Sequence, residues 1–372
     1  MKIAFMIRSL NFGGAERQLV TLAKALSEQH QIYLLHFYGG PLEQELKGSG
    51  VEVISLQKKG RWDLVGFFFR LIENLKQIKP QILHGYMDGP NILSVFVKLF
   101  CPGMKIIWGI RASFIDFSRS DLFVRMANRA ERILSRFADL IIFNSKAGLQ
   151  FFQANGFPKS KSRVVPNGID IHRFRPNDIL RKKFREELNI PEDCILIGNV
   201  GRMVPQKDHK TFLKAAQLFN KSDRKIRFLC IGAGPEEFKN ELVAYGEGLD
   251  LGGNILWLKP RNQMEEVYAG LDILTLCSLG EGFSNVIGEA MACGVPCVVT
   301  DVGDSAWIVG SYGFVIPTAN PEALSRAWGQ CIEQLGPELR EPVRKRIEEC
   351  FSVEHLVGQM NQTFLHLADM KE

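Results

Sequence analysis

The chain has 372 residues, of which 46% are hydrophobic, and carries a formal charge of +5. That length and composition exclude a disordered chain and fit two domains better than one. Apolar runs at 64–69 and 92–97 are broken by Arg70 and Lys98, well short of the ~18 residues that span a bilayer, so no transmembrane helix is expected.

The opening MKIAFMIRSL offers five apolar residues before Arg8, too few for a secretory signal, and the mature protein is expected to begin here. KIAFMI closes on a glycine-containing stretch at 9–14, after which AERQLVTLAKALSEQH carries apolar residues at helical spacing: strand, glycine loop, helix. Strand-like runs then recur as QIYLLHFY, VEVISL, QILHGY, KIIWGIR, LIIFNS and SRVVPNG, with a helix ending near Lys79 and Pro80. A second series follows with CILIGNVG, a helix from Lys207, KIRFLCIG, the helix PEEFKNELVAYGEG, NILWLK, DILTLC and PCVVTD. Strands alternating with helices specify doubly wound parallel sheets in an α/β protein. Between the two series VVPNGIDIHRFRP, residues 164–176, lacks periodicity and reads as the linker. Residues 1–170 hold 23 Lys and Arg against 13 Asp and Glu, a charge of +10, whereas the remainder holds 23 against 28, or −5. A basic half suits an anionic acceptor or membrane, or is simply solvated.

Ligand sites of such sheets lie at the carboxyl ends of the strands. After LTLCS comes LGEGFSN and then the helix VIGEAMACG, with Ser284 or Asn285 as its N-cap and Gly294 closing it. Its N-terminus is an anion site against residues 282–286. Glu281 precedes that site and Glu289 lies about one turn into the helix. A bare carboxylate beside a phosphate is repelled, so both glutamates make sense as acceptors for hydroxyls, which a sugar nucleotide carries at both ends of its diphosphate. Solvated helix charges are the alternative. GNVGRMVPQKDHKTFLKAA places Arg202 and Lys207 at another strand end, where a bidentate guanidinium and a point-charge ammonium suit a diphosphate. GAGPEE at 232–237 lacks the third glycine of a dinucleotide loop and reads as a strand-to-helix turn. The eight cysteines are scattered, several within apolar runs, and Cys293 with Cys297 lacks a second ligand pair, so reduced thiols, no zinc and a cytoplasmic compartment are expected. Asp301 and Asp304 are too far apart for a DxD metal motif.

GGAERQLVTLAKAL, VVPNGIDIHRFRP, GRMVPQKDHKTFLKAA, CIGAGPE and EGFSNVIGEAMACGVPCVVTDVG together resemble the retaining GT-B glycosyltransferases of glycosyltransferase family 4, over nearly the whole chain. The resemblance implies two Rossmann-like domains facing a central cleft. An acceptor-side domain would span 1–168 with a crossing helix at about 353–372, and a donor domain 169–352. It implies transfer of a hexose from a UDP- or GDP-sugar to a glycan or lipid-linked acceptor, with retention and with neither cofactor nor metal, in surface polysaccharide or glycoconjugate synthesis. Glu289 matches the ribose-binding glutamate and Glu281 the one facing the transferred sugar. Arg202 and Lys207 match the diphosphate pair, and Gly282, Phe283, Ser284, Asn285 and Val286 the loop whose amides contact sugar and phosphate. Arg261 lies where the family contacts the base, and Gly13 and Gly14 match the loop that approaches diphosphate or acceptor. Where many relatives carry a histidine near the sugar, this sequence reads GIRAS, which puts that role in doubt. Arg111, or His84 at the end of QILH, is the candidate there, with a structural histidine the alternative for His84. No nucleic-acid partner is implied. A sugar-nucleotide 2-epimerase of similar fold and a non-catalytic assembly subunit are the competing functions.

GRWDLVGFFFRLIENLKQIKP sets Phe67, Phe68, Phe69 and Leu71 among Arg61, Arg70, Lys76 and Lys79. The pattern fits a helix covering the sheet, and equally a basic amphipathic helix resting peripherally on the cytoplasmic face of an anionic membrane.

Overall fold

A computed structural model describes residues 1–60, 62–113, 122–220 and 225–369; Arg61 lies outside them. In chain order the elements of the first half are β1 (Lys2–Ser9), α1 (Gly14–Leu26), β2 (Gln31–Tyr38), β3 (Val51–Ser55), α2 (Val65–Ile78), β4 (Ile82–Tyr86), α3 (Asp88–Lys98), β5 (Lys105–Ile110), α4 (Leu122–Leu134), β6 (Leu140–Phe143), α5 (Lys146–Ala154) and β7 (Ser162–Val164). There follow α6 (Asp178–Glu187), β8 (Ile195–Val200), α7 (His209–Phe219), β9 (Ile226–Ile231), α8 (Glu236–Glu247), β10 (Ile255–Leu258), α9 (Met264–Gly270), β11 (Ile273–Leu276), α10 (Asn285–Ala292), β12 (Cys297–Thr300), α11 (Ser305–Val309), β13 (Phe314–Ile316), α12 (Pro321–Glu333), α13 (Pro337–Cys350) and α14 (Val353–Asp369). The chain divides into two compact units, Met1–Gly168 with Val353–Glu372, and Ile169–Ser352.

In the first unit the sheet order is β3-β2-β1-β4-β5-β6-β7, and every pairing is parallel. Strands covered on both faces need apolar residues at successive positions, and Ile3, Ala4, Phe5, Met6 and Ile7 of β1 are all fully buried. Helix α14 lays Leu356, Met360 and Phe364 into the same core as Leu19, Leu22 and Leu26 of α1. α2 ends at Lys79, in the left-handed region at φ 52°, because Pro80 follows and disfavours a further helical residue. The run SRVVPNG is strand only to Val164. Beyond it Pro166 has no N–H to give, and Gly168 exchanges both its backbone groups with the amide of Gln18 (2.9 and 3.0 Å).

The second unit has the order β10-β9-β8-β11-β12-β13, again all parallel. In both sheets the order reverses beside the first strand, at β1/β4 and at β8/β11, the position where doubly wound sheets bind ligands. Trp328 is fully buried against Phe212 and Phe228 and donates its indole N–H to Thr275 Oγ1 at 2.9 Å. β13 went unread in the sequence, since three residues between Gly313 and Pro317 give no periodicity to detect. All eight cysteines are free thiols, six of them buried.

Candidate active site

Two loops meet at the switch point of the second unit. The first leaves β8 at Gly201, exposes Arg202, buries Met203, and turns through Pro205, Gln206 and Lys207 into α7. Asp208 caps α7: its carboxylate accepts from the Thr211 N–H (3.3 Å) and the Thr211 hydroxyl (2.7 Å). The glycines of GAGPEE have a packing role here. A Cβ on Gly232 would stand 1.7 Å from the Gly201 carbonyl oxygen, and the Met203 N–H bonds Ala233 O at 2.7 Å. Backbone lies on backbone, which only glycine allows.

The second loop leaves β11 and runs through Ser278, Leu279, Gly280 and Glu281 to α10. It is stitched to the first: the Leu279 N–H donates to Gln206 O (2.8 Å), and Gln206 Nε2 donates to Gly280 O (2.7 Å). The Lys207 ammonium pairs with Glu281 Oε1, which also accepts from the buried Ser278 hydroxyl at 2.6 Å. The two charged side chains are only 15% and 13% exposed, so the pair is largely shielded from screening. Gly303, at φ +56°, lies against the Glu281 carbonyl, where a Cβ would approach to 2.3 Å.

Helix α10 begins at Ser284, an N-cap by position whose side chain makes no capping bond. Its first-turn N–H groups have no intrahelical acceptors and present the positive end of the helix dipole. Phe283 is buried against Phe351 and Trp307, at 5.4 and 6.4 Å between ring centroids, which fixes the loop and leaves its backbone as the polar surface. The helix closes in a Schellman motif. Gly294 at φ +73° bonds Met291 O, and the Val295 N–H bonds Ala290 O. Within α10, Glu289 accepts from the hydroxyl of Tyr268 at 2.7 Å. Burial, and then the neighbouring carboxylate, push the Tyr268 hydroxyl well above its ordinary range, so it remains a proton donor.

Arg202, Lys207, Glu281, residues 282–286 and Glu289 thus all stand on these two loops and the helix that follows them, and within them Lys207 and Glu281 are brought into contact. Arg261 stands elsewhere in the unit, bonded through both terminal nitrogens to Glu187, with its guanidinium 5.4 Å from the Phe184 ring. In the first unit Gly13 is the N-cap of α1 and Gly14 its first residue, with the Glu16 carboxylate folded over Gly13. Arg111 stacks on the Tyr86 ring at 4.3 Å and donates to Asn167 Oδ1 at 3.3 Å. The expectation that His84 ends the strand QILH is corrected. β4 runs on to Tyr86, and His84 is fully buried between Phe5 and Tyr86 with neither ring nitrogen hydrogen-bonded. Burial, and secondarily the Arg111 charge, hold it neutral. Among the described residues no group of three or more His, Cys, Asp or Glu side chains is placed to hold a metal ion.

Sequence reasoning missed Ser278, Gln206, Tyr268 and His209. His209 is buried beside Lys207 with both ring nitrogens unbonded, and burial, then the Lys207 charge, lower its pKa to about 4. Between that value and the unfolded value near 6.5, the unfolded chain binds a proton that the native protein refuses. Its contribution is therefore retained above pH ~6.5 and lost as pH falls towards about 4, by roughly 3 kcal/mol. Urea denaturation at neutral pH and at about pH 4.5 should show this loss in the wild type and a smaller one in His209→Leu; equal losses would contradict it.

The sequence matches Glycosyltransferase Family 4 over residues 12–173 and Glycosyl transferases group 1 over residues 195–334. The chain belongs to glycosyltransferase family 4. This family 4 glycosyltransferase is 23% identical over 360 residues to the putative glycosyltransferase EpsF of Bacillus subtilis, covering 94% of this chain and 91% of that protein. It is 25% identical over 319 residues to the N-acetylgalactosamine-N,N'-diacetylbacillosaminyl-diphospho-undecaprenol 4-alpha-N-acetylgalactosaminyltransferase of Campylobacter jejuni, covering 81% and 80%. Its fold is that of Anabaena Alr3699/HepE, solved in complex with UDP: the TM-score is 0.86 at 21% identity, over 98% of this chain and 100% of that one. The same protein in complex with UDP-glucose gives a TM-score of 0.84 at 22% identity and the same coverage. The GT-B fold of this glycosyltransferase, two Rossmann-like parallel sheets, is thereby established.

Proposed function

We propose that the enzyme transfers a hexose from a nucleoside-diphosphate sugar, UDP- or GDP-linked, to a glycan or lipid-linked acceptor. Transfer retains anomeric configuration and requires neither metal nor cofactor. The observation that carries this reading is the Lys207–Glu281 pair, which joins the two switch-point loops directly before the N-terminus of α10. It resolves the difficulty of placing a carboxylate beside a phosphate. An ammonium has three N–H donors, so Lys207 can hold Glu281 and still offer a bond to a phosphate oxygen. Glu281 then accepts from hexose hydroxyls without repelling the diphosphate.

On this reading Arg202 and the amides of 282–286 bind the diphosphate. Glu289 accepts from the ribose hydroxyls, held in place by Tyr268, and Arg261 borders the base. Gly13, Gly14 and Arg111 belong to the acceptor side; His84 supports Arg111 and Tyr86 by packing. As the bond from the anomeric carbon to the β-phosphate oxygen breaks, its electron pair leaves with the diphosphate; the acceptor hydroxyl oxygen bonds the anomeric carbon on the same face, and its proton passes to the departing phosphate oxygen. Arg202, Lys207 and the α10 dipole stabilise that growing charge, as a metal does elsewhere. The UDP and UDP-glucose complexes of the Anabaena protein support the donor class, and the diphospho-undecaprenol acceptor in the name of the Campylobacter relative supports a lipid-linked acceptor in surface polysaccharide or glycoconjugate synthesis. Such an enzyme works in the cytoplasm, at the membrane face that displays the acceptor.

The test is a thermal-shift series with UDP-, GDP- and ADP-sugars, with and without EDTA. At about 100 times its dissociation constant the donor adds ~2.7 kcal/mol. Glu289→Gln, which preserves an acceptor for Tyr268, should lose most of that gain, and EDTA should not matter. A shift that needs metal, or one unchanged in the variant, contradicts the assignment. An isomerised sugar formed from donor alone would indicate the epimerase, and no shift with any sugar nucleotide would indicate a non-catalytic subunit.

A further inference from the structure

The carboxylate of Glu281 is held by one oxygen. Oε1 accepts from both the Lys207 ammonium and the Ser278 hydroxyl, the latter at 2.6 Å. A carboxylate has about four lone-pair sites, two on each oxygen, so these two donors fill Oε1. Oε2 has no partner among the described residues, yet it is not closed off from solvent. The terminal torsion of a glutamate is broad and roughly two-fold, so an unheld carboxylate would exchange its two oxygens freely.

Of the two donors, Lys207 is the adaptable one, a point charge on a flexible four-carbon stem. Ser278 is anchored. It is fully buried, and its carbonyl accepts from the hydroxyl of Thr300 in β12 at 2.7 Å. Thr300 is fully buried as well, and its hydroxyl also reaches Leu276 O at 3.3 Å. On the far side of Glu281, the Asp304 N–H bonds Gly282 O at 3.1 Å. The backbone of residues 278–282 is thus tied at both ends to the segment around β12. What freedom remains to Glu281 is rotation of its own side chain, and the Ser278 hydroxyl opposes that rotation.

We propose that Ser278 is a positioning residue that sets how the transferred sugar is read: by fixing Oε1 it leaves Oε2 as the single carboxylate oxygen offered to the hexose, in one orientation. This rests on the donor-site reading above, in which Glu281 accepts from hexose hydroxyls. The consequence is selectivity confined to the sugar. A hexose that directs a hydroxyl at Oε2 is accepted, whereas an epimer that directs it elsewhere leaves that oxygen without a donor in a largely buried site and is disfavoured. Binding of the nucleoside diphosphate alone does not involve the serine.

The experiment is calorimetric titration of the wild type, Ser278→Ala and Ser278→Cys with UDP, with UDP-glucose, and with UDP-glucose lacking the 3-, 4- or 6-hydroxyl in turn, repeated with GDP, GDP-mannose and its deoxy forms. Ser278→Ala should weaken the sugar nucleotide by about tenfold and leave the free diphosphate within about twofold. One deoxy compound should bind Ser278→Ala as it binds the wild type, because its missing hydroxyl and the serine act through the same carboxylate. Ser278→Cys, which replaces the hydroxyl by a weaker donor, should fall between the two. Equal weakening of diphosphate and sugar nucleotide would make the serine a support of the loop alone and overturn the proposal. So would unchanged affinities, or a loss that no deoxy compound cancels. A wild type that binds no sugar nucleotide would bring down the donor-site reading together with this one, whereas sugar-nucleotide binding that is indifferent to Ser278 removes only the serine.

Discussion

Arg202→Ala is expected to lower kcat by about 10²–10³-fold while leaving donor binding comparatively intact. Arg202 leaves the carboxyl end of β8 with its side chain exposed, and among the described residues it has no carboxylate partner. Its removal therefore takes nothing from the fold. On the proposed reading, what it removes is a cation whose value rises as negative charge gathers on the departing diphosphate. Lys207 differs, because its ammonium also neutralises Glu281; taking it away leaves a carboxylate facing an anionic donor and should damage binding as well as turnover. Arg202→Lys restores charge but not the bidentate fork, and should recover only part of the rate. Steady-state release of the nucleoside diphosphate measures all three. Wild-type kcat in Arg202→Ala would remove the arginine from the chemistry.

The largest effect on stability is expected at Asp272, immediately before β11 at the opposite end of the strand from the candidate site. This buried carboxylate accepts from Arg181 (2.7 Å), Arg185 (3.1 Å), Arg340 (3.2 Å) and the Leu196 N–H (2.9 Å). Arg185 is itself buried, and its terminal nitrogens also donate to the carbonyls of Gly270, Pro191 and Cys194. Asp272→Ala leaves that guanidinium without a counter-charge inside the protein, a change that costs about 3–5 kcal/mol. The bond to Leu196 also ties β11 to the start of β8, so the two strands that carry the switch-point loops share this anchor. Urea denaturation of the variant should show the loss, and a change below about 1 kcal/mol would mean that solvent reaches Arg185 after substitution.

The sheets were legible because strands buried on both faces write themselves as unbroken apolar runs; KIAFMI and QIYLLHFY need no context to be read. Their carboxyl ends were overrun in several cases, as in SRVVPNG, because strand and exit loop differ in bonding partners rather than in composition. The glycines of GAGPEE were read as a turn, whereas the close approach of residues 201–203 that fixes two of them is visible only in three dimensions. For the candidate site, glutamates and cations stand out by residue type, but their partners do not. Tyr268 sits 21 residues from Glu289 in a different helix, and Lys207 lies 74 residues from Glu281. No local pattern encodes such distances. His84 shows the converse error: a polar residue near a strand end looks available, and only the packing of Phe5 and Tyr86 closes it off.

The most direct measurement of the central claim is hydrogen–deuterium exchange of the wild-type enzyme with and without a saturating UDP- or GDP-sugar. Slower exchange is expected at residues 201–208 and 278–289, where the two stitched loops and the first turns of α10 would close on the diphosphate. Saturation by the donor with those segments unchanged, and protection confined to other parts of the chain, would contradict it.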